Sequence, residues 1–169
     1  MAQKGISIIR GLDVDELIKL LNKAYADEWL AYYQYYIEAK VIKGIMKDAV
    51  IAELNQHAAD ELRHAGLLAD RIIQLGGTPL LNPKDWLEQT NCGYITPTDF
   101  DVLKILEDAI EGERCAIDIY SKIADITNGK DIVTYDIVKQ ILEDEVEHEE
   151  DLVALQEDIT SFIKQLKGE

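Results

Sequence analysis

Two stretches of the chain carry the same pattern, Asp60-Glu61-Leu62-Arg63-His64 and Asp144-Glu145-Val146-Glu147-His148. A glutamate and a histidine three residues apart share one face of a helix, so each stretch can offer an oxygen and a nitrogen to one metal ion. Further glutamates interrupt apolar stripes at helical spacing. The series Leu17, Leu21, Ala24, Glu28, Ala31, Tyr35 selects Glu28, and Leu103, Leu106, Ile110, Glu113, Ile117, Tyr120 selects Glu113. The two repeated motifs fall on comparable stripes: Val50, Leu54, His57, Glu61, His64, Leu68, Ile72, and Val138, Ile141, Glu145, His148, Leu152, Leu155, Ile159. Asp27, Glu53, Asp60, Glu143, Glu147 and Glu149 fall off them.

Four long helices must position these residues. The first run extends from about residue 13 to 43, opened by Asp13 with Glu16 and followed by Gly44; the second covers 49–75, with Asp48 as its expected cap and Gly76-Gly77 as its stop. A crossover from Gly76 to Pro97 carries one short helical candidate at 83–88, opened by Asn82 and Pro83. Thr98 is the expected cap of a run over 99–127, and Asn128-Gly129 separates it from the last, 131–167. Two hairpins joined by a long crossover predict an all-α four-helix bundle occupying residues 1–169 as one domain.

In an antiparallel hairpin, residues equidistant from the turn lie at one height. Glu28 and Glu61 are centred beside Gly44, and Glu113 and Glu145 are centred on Gly129, so both pairs lie 16 or 17 residues from their turns. Four inward acids therefore converge on one level, with His64 and His148 beside them. Four carboxylates and two neutral imidazoles carry −4, which two divalent ions neutralise; without ions, four buried like charges must take up protons. Oxygen-rich donors with one nitrogen per metal suit iron or manganese, with zinc also accommodated. Asp60 and Asp144 stand about 100° round the helix from their neighbouring glutamates, where each can accept the free N–H of the opposite histidine, Asp60 for His148 and Asp144 for His64.

Other residues have simpler readings. His57 faces inward, and a hydrogen-bonded core histidine accounts for it more economically than a ligand. The tyrosines of the first helix suit packing or a subunit contact, except Tyr35, two turns from Glu28 on the same stripe, which could supply an electron or a hydrogen bond near the metals. The acidic runs of the last helix read as a solvated face, or in a hollow shell as a guide for cations. Cys92 and Cys115 are too few for a disulfide framework, and the sequence leaves open whether they meet.

The composition fits this reading. The 169 residues are 47% apolar, enough for a sizeable core, and 17 basic against 33 acidic side chains give a net charge of −16. That charge repels nucleic acid and anionic lipid and attracts cations. The opening MAQKGISIIRGLDVDE lacks the apolar run of a signal peptide, and no stretch reaches the ~20 apolar residues of a membrane span. The expectation is a cytoplasmic protein with neither nucleic acid nor membrane as a partner.

Over about residues 13–167 the chain resembles the ferritin-like superfamily. The phrase Ala26-Asp27-Glu28-Trp29-Leu30-Ala31-Tyr32-Tyr33-Gln34-Tyr35, the paired Asp-Glu-x-x-His motifs and Glu113-Arg114-Cys115 are most similar to Dps-like thioferritins. The resemblance implies a dodecameric shell with two iron ions bound per subunit. It would oxidise Fe(II) with hydrogen peroxide or oxygen, store Fe(III), protect against oxidative stress, and keep the Cys92 and Cys115 thiols beside the di-iron centre. Glu61 and Glu145 would bridge the metals, and Glu28, Glu113, His64 and His148 would be terminal ligands. Bacterioferritins carry a haem-binding methionine where this chain has Leu62, so haem is not expected. Dps proteins share their iron site between subunits, whereas all six donors here lie in one chain. Two other readings stay open: a manganese or iron peroxidase or catalase without storage, and a helical interaction module with a structural metal.

Overall fold

The computed structural model describes residues 4–168, with the side chain of residue 4 outside the description. Its elements are α1 (Lys4–Ser7), α2 (Val14–Val41), α3 (Lys47–Gln74), α4 (Pro83–Gln89), α5 (Val102–Thr127) and α6 (Ile132–Lys167), with no strand among the described residues. The hairpins are α2 with α3 and α5 with α6; α3 also packs on α6, α2 on α5, and the crossover helix α4 on α2. This is the expected all-α bundle with a long crossover. No helix of the described residues is long and apolar enough to cross a membrane.

Several boundaries follow local chemistry. Asp13 caps α2 by accepting from the Asp15 and Glu16 amides, Asn82 caps α4 through the Lys84 amide, and Asp131 caps α6 through the Thr134 amide. Two expected caps are corrected. Asp48 does not cap α3: the chain turns at Gly44 (φ 120°), then places Met46 in the left-handed region (φ 59°) with no side-chain cap, so Asp48 lies inside the first turn, where its charge still suits the helix dipole. Thr98 does not cap α5 either. The Lys43 amide donates to the Phe100 carbonyl at 2.7 Å and the Val102 amide to the Lys43 carbonyl at 2.9 Å, which keeps the chain non-helical to Asp101 and makes Asp101 the cap. The same pairing lets α2 end at Val41 rather than near residue 43. The short α1 has no counterpart in the sequence reading.

The apolar core forms two clusters. One contains Leu17, Leu21, Leu68, Ile72, Tyr120 and Ile141, the other Ala39, Leu54, Leu106, Ile110, Leu152 and Ile159. Along every long helix the inward acids fall between the residues of these clusters, so the core is split by a polar layer. Near the α5–α6 turn, buried Arg71 of α3 donates to both oxygens of Asp131 at 2.9 and 2.8 Å and, through Nε, to Thr134 at 2.8 Å, fixing α3 against the start of α6.

Candidate metal centre

The polar layer contains Glu28 of α2, Glu61 and His64 of α3, Glu113 of α5, and Glu145 and His148 of α6, all between 0% and 4% exposed. Their donor atoms form two overlapping groups: Glu28, Glu61, His64 and Glu145, and Glu61, Glu113, Glu145 and His148, the atoms within each group lying within 4.8 Å of one another. Glu61 and Glu145 belong to both. His64 Nδ1 lies 3.3 Å from Glu28 Oε2, 3.3 Å from Glu61 Oε2 and 3.2 Å from Glu145 Oε1. His148 Nδ1 lies 3.4 Å from Glu61 Oε1, 3.6 Å from Glu113 Oε1 and 3.2 Å from Glu145 Oε2. Each shared glutamate thus turns one oxygen toward each histidine, the arrangement that two bridging carboxylates between paired ions require.

Electrostatics make this layer costly as protein alone. Glu28 Oε2, Glu61 Oε1, both oxygens of Glu145 and His148 Nδ1 are buried without a hydrogen-bond partner. Burial, followed by the charges of Glu145 and Glu28, raises the Glu61 carboxyl well above the usual carboxylate range, and burial with Glu145 lifts Glu113 to about 7. Burial opposes charge on His64 and His148, but the three carboxylates facing each imidazole outweigh it and raise both. Protons are therefore favoured on Glu61 and Glu113 over bare like charges. Hard oxygen donors, one nitrogen per group and unsatisfied lone pairs fit two divalent first-row metal ions in their place.

The neighbouring residues are arranged with near two-fold symmetry. Tyr35 donates to Glu113 at 2.5 Å, and Tyr120 donates to Glu28. Tyr35 therefore serves the acid on α5 rather than Glu28 on its own stripe. Tyr120 was read from the sequence only as a stripe residue; yet both tyrosines follow an inward glutamate by seven residues, a repeat that could have singled it out. Asp144 Oδ2 lies 3.0 Å from His64 Nε2, and Asp60 Oδ2 lies 3.6 Å from His148 Nε2, longer than a hydrogen bond. Arg63, inside the first motif, donates to both acids, at 2.7 Å to Asp144 and 3.2 Å to Asp60. Burial favours a neutral Asp144, but the bonds from Arg63 and His64 win and hold it below the usual range.

His57 departs from its expectation. It is buried, but neither ring nitrogen makes a hydrogen bond. Burial, then the His148 charge, lowers its pKa to about 4.

Cys92 and Cys115 form a disulfide, with 5.8 Å between Cα atoms. Asp27 brings the crossover to it. This buried carboxylate accepts from the Asn91 amide at 2.8 Å, the Asn91 side chain at 2.6 Å, the Cys92 amide at 3.0 Å and the Thr90 hydroxyl. The sequence reading placed Asp27 off the stripe and gave it no role. Cys92 and Gly93 border a cavity that reaches Glu28, Glu61, Glu113 and Glu145.

Residues 18–162 match the ferritin-like domain family. The chain is a ferritin-like protein. Among curated relatives of this ferritin-like chain, the DNA protection during starvation protein of Pyrococcus furiosus is 35% identical over 82% of the chain and 76% of its own length. The bacterioferritin of Desulfovibrio desulfuricans is 30% identical over 89% and 78%. Among solved structures, the dodecameric thioferritin of Bacteroides fragilis, a bacterioferritin-related protein, superposes with a TM-score of 0.92, at 48% identity over 95% of this chain and 96% of that one. Dps from Thermosynechococcus elongatus shares the fold at a TM-score of 0.79 and 19% identity. An iron-binding function of the ferritin family therefore applies to the chain.

Proposed function

We propose that this ferritin-like protein is a ferroxidase and iron-storage miniferritin, with two Fe(II) ions as substrate between Glu28, Glu61, His64, Glu113, Glu145 and His148. The observation that carries this reading is the pair of donor groups sharing Glu61 and Glu145. Two ions held side by side can each give one electron to one peroxide bond: two Fe(II), one hydrogen peroxide and two protons yield two Fe(III) and two water molecules. The chain supplies fixed donors, a closed apolar surround and removal of both reactants of hydroxyl-radical chemistry. The 48% identity to a dodecameric thioferritin supports a dodecameric shell that retains the ferric product. The net charge of −16 supports cation uptake over nucleic-acid coating. In this reading the protein works in the cytoplasm, and the Cys92–Cys115 bond acts as a reversible dithiol pair at the cavity mouth.

Anaerobic Fe(II) titration of the assembled protein, followed separately by oxygen and by peroxide with particle mass recorded, tests the proposal. Saturation near two Fe(II) per chain, faster oxidation with peroxide, and retention of many ferric ions per chain are expected. Glu61→Ala combined with Glu145→Ala should abolish the acceleration while leaving the helical circular dichroism in place. Rapid peroxide turnover with only two metals retained would replace storage by a plain peroxidase. No acceleration of Fe(II) oxidation by the intact protein would end the ferroxidase reading.

A further inference from the structure

The two Asp-Glu-x-x-His motifs repeat every donor but differ in charge at one position: Arg63 stands before His64, and Glu147 before His148. The difference falls on the outward side of the centre. Each histidine turns Nδ1 to the glutamates and Nε2 away from them, so the partner of Nε2 decides how firmly the ring is aimed. His64 Nε2 lies 3.0 Å from Asp144 Oδ2, and Arg63 donates to that same oxygen at 2.7 Å. The same guanidinium nitrogen, Nη2, donates to Asp60 Oδ1 at 3.2 Å and stands 3.3 Å from His64 Nε2. It holds a carboxylate of α3 and one of α6 against their mutual repulsion and keeps the Asp144 oxygen on His64. Among the described residues no arginine or lysine stands at His148 Nε2. Asp60 Oδ2 stays 3.6 Å from that nitrogen, the exposed Glu147 occupies the place of a second cation, and the His148 ring is held by stacking on His57 at 3.9 Å between centroids.

We propose that Arg63 is a positioning residue for one half of the centre: through Asp144 it aims the His64 ring and so sets the affinity of the metal position built on Glu28, Glu61, His64 and Glu145. The inference rests on the dinuclear reading above, and it divides the pair. The position built on Glu61, Glu113, Glu145 and His148 takes its aim from the His57 stack and owes nothing to the guanidinium. Charge explains how an arginine can stand so near a cation site. Its +1 is set against the two carboxylates it holds, so the three groups together formally carry −1 and do not repel a divalent ion. With Nδ1 given to a metal ion, the imidazole keeps its proton on Nε2, and Asp144 is the acceptor which that proton requires. Removing Arg63 frees two like charges that drive each other apart, and Asp144 leaves His64. Because a single nitrogen makes every contact, an ammonium can take its place; the fork of the guanidinium is not needed.

Arg63→Met, Arg63→Lys, Asp144→Ala and the double variant Arg63→Met with Asp144→Ala are compared with the wild type as full-length assemblies. Co(II), which does not turn over with the oxidants, is the probe: anaerobic titration counts bound metal per chain, and diffraction at the cobalt edge reads the two positions separately. In Arg63→Met the affinity beside His64 should fall about tenfold or more, with the position beside His148 little changed. Arg63→Lys should recover most of that loss. The double variant should bind no more weakly than Asp144→Ala, since Arg63 acts through that acid. Metal-free crystals give a readout independent of binding: His64 Nε2 should lose Asp144 in Arg63→Met and keep it in Arg63→Lys. The Arg63 side chain is 40% exposed, so methionine is accommodated, and thermal melting checks the fold. A wild type that binds a single Co(II), beside His64, lost in Arg63→Met and restored in Arg63→Lys, would overturn the dinuclear reading and uphold the role of Arg63. Two Co(II) per chain, held equally well by the wild type and Arg63→Met or weakened equally at both positions, would overturn the role of Arg63 and leave the dinuclear reading standing.

Discussion

Tyr35 and Tyr120 each give a hydroxyl proton to a carboxylate of the opposite hairpin, Glu113 and Glu28, so each tyrosine both orients a donor and joins two helices. Burial, reinforced by the facing glutamate, raises both phenols well above their usual range, which keeps them protonated donors. Tyr120→Phe leaves Glu28 without this donor, a loss of about 1 to 3 kcal/mol. The expected outcome is a folded protein whose Fe(II) affinity, read by anaerobic titration, falls several-fold, with Tyr35→Phe producing a matching loss. A second residue-scale test concerns Glu38. Burial lifts this carboxyl to about 8, against the bond from Gln34. The folded pKa exceeds the unfolded one, so its contribution is complete below about pH 4.5 and is lost as pH rises toward 8. Glu38→Gln, which keeps an acceptor for Gln34, should therefore gain on the wild type across that interval, by a few kcal/mol at most. Denaturation midpoints of both proteins at pH 5 and 8.5 measure the difference. The six inner donors were legible because a charged residue on an apolar stripe is conspicuous. Asp27 and Arg63 were not, because the Asp27 partners lie 63 to 65 residues away and Asp144, which Arg63 reaches, lies 81 away, on elements whose placement no local pattern encodes.

At the scale of the elements, the stripes and glycines defined four long helices, while the starts of α3 and α5 escaped. A side-chain cap announces itself locally; the Met46 start and the Asp101 start depend on a turn and on a backbone pairing between Lys43 and the end of the crossover. The crossover itself is held by three unlike devices: the Trp29–Trp86 stack at 4.9 Å, the Asp27 bonds to residues 90–92, and the Cys92–Cys115 bond. The disulfide closes a loop of 23 residues, for which chain entropy gives about 3 kcal/mol. Because the other two devices remain, Cys92→Ser with Cys115→Ser should keep the bundle and its metal stoichiometry while lowering Tm by several degrees. Calorimetry of the variant beside the wild type, with and without reductant, checks this: reductant should lower Tm only in the wild type.

Across the whole molecule, two apolar clusters are fastened by caps and by the Arg71–Asp131 pair, and the stretch between them is occupied by buried acids and histidines. Such a layer gains little from folding alone, since burial resists charge on Glu61, Glu113, His64 and His148 alike. On the proposed function divalent ions would reverse that balance: they would bind the deprotonated donors, release the protons, and stabilise the folded state by RT ln(1 + [M]/Kd), about 2.7 kcal/mol at one hundred times Kd. The stabilisation must weaken in acid, where protons compete for the same atoms. At fixed protein and Co(II) concentrations, the rise in Tm over the metal-free protein should be large at pH 7.5 and much smaller at pH 5.5, with proton release on binding detected in weakly buffered solution at the higher pH. A Tm rise of equal size at both pH values would mean that the ions bind the exposed acidic surface rather than the layer between the two halves of the core. A metal-induced rise that persists in Glu61→Ala with Glu145→Ala at its full wild-type size would point the same way, because that variant lacks both glutamates shared by the two donor groups.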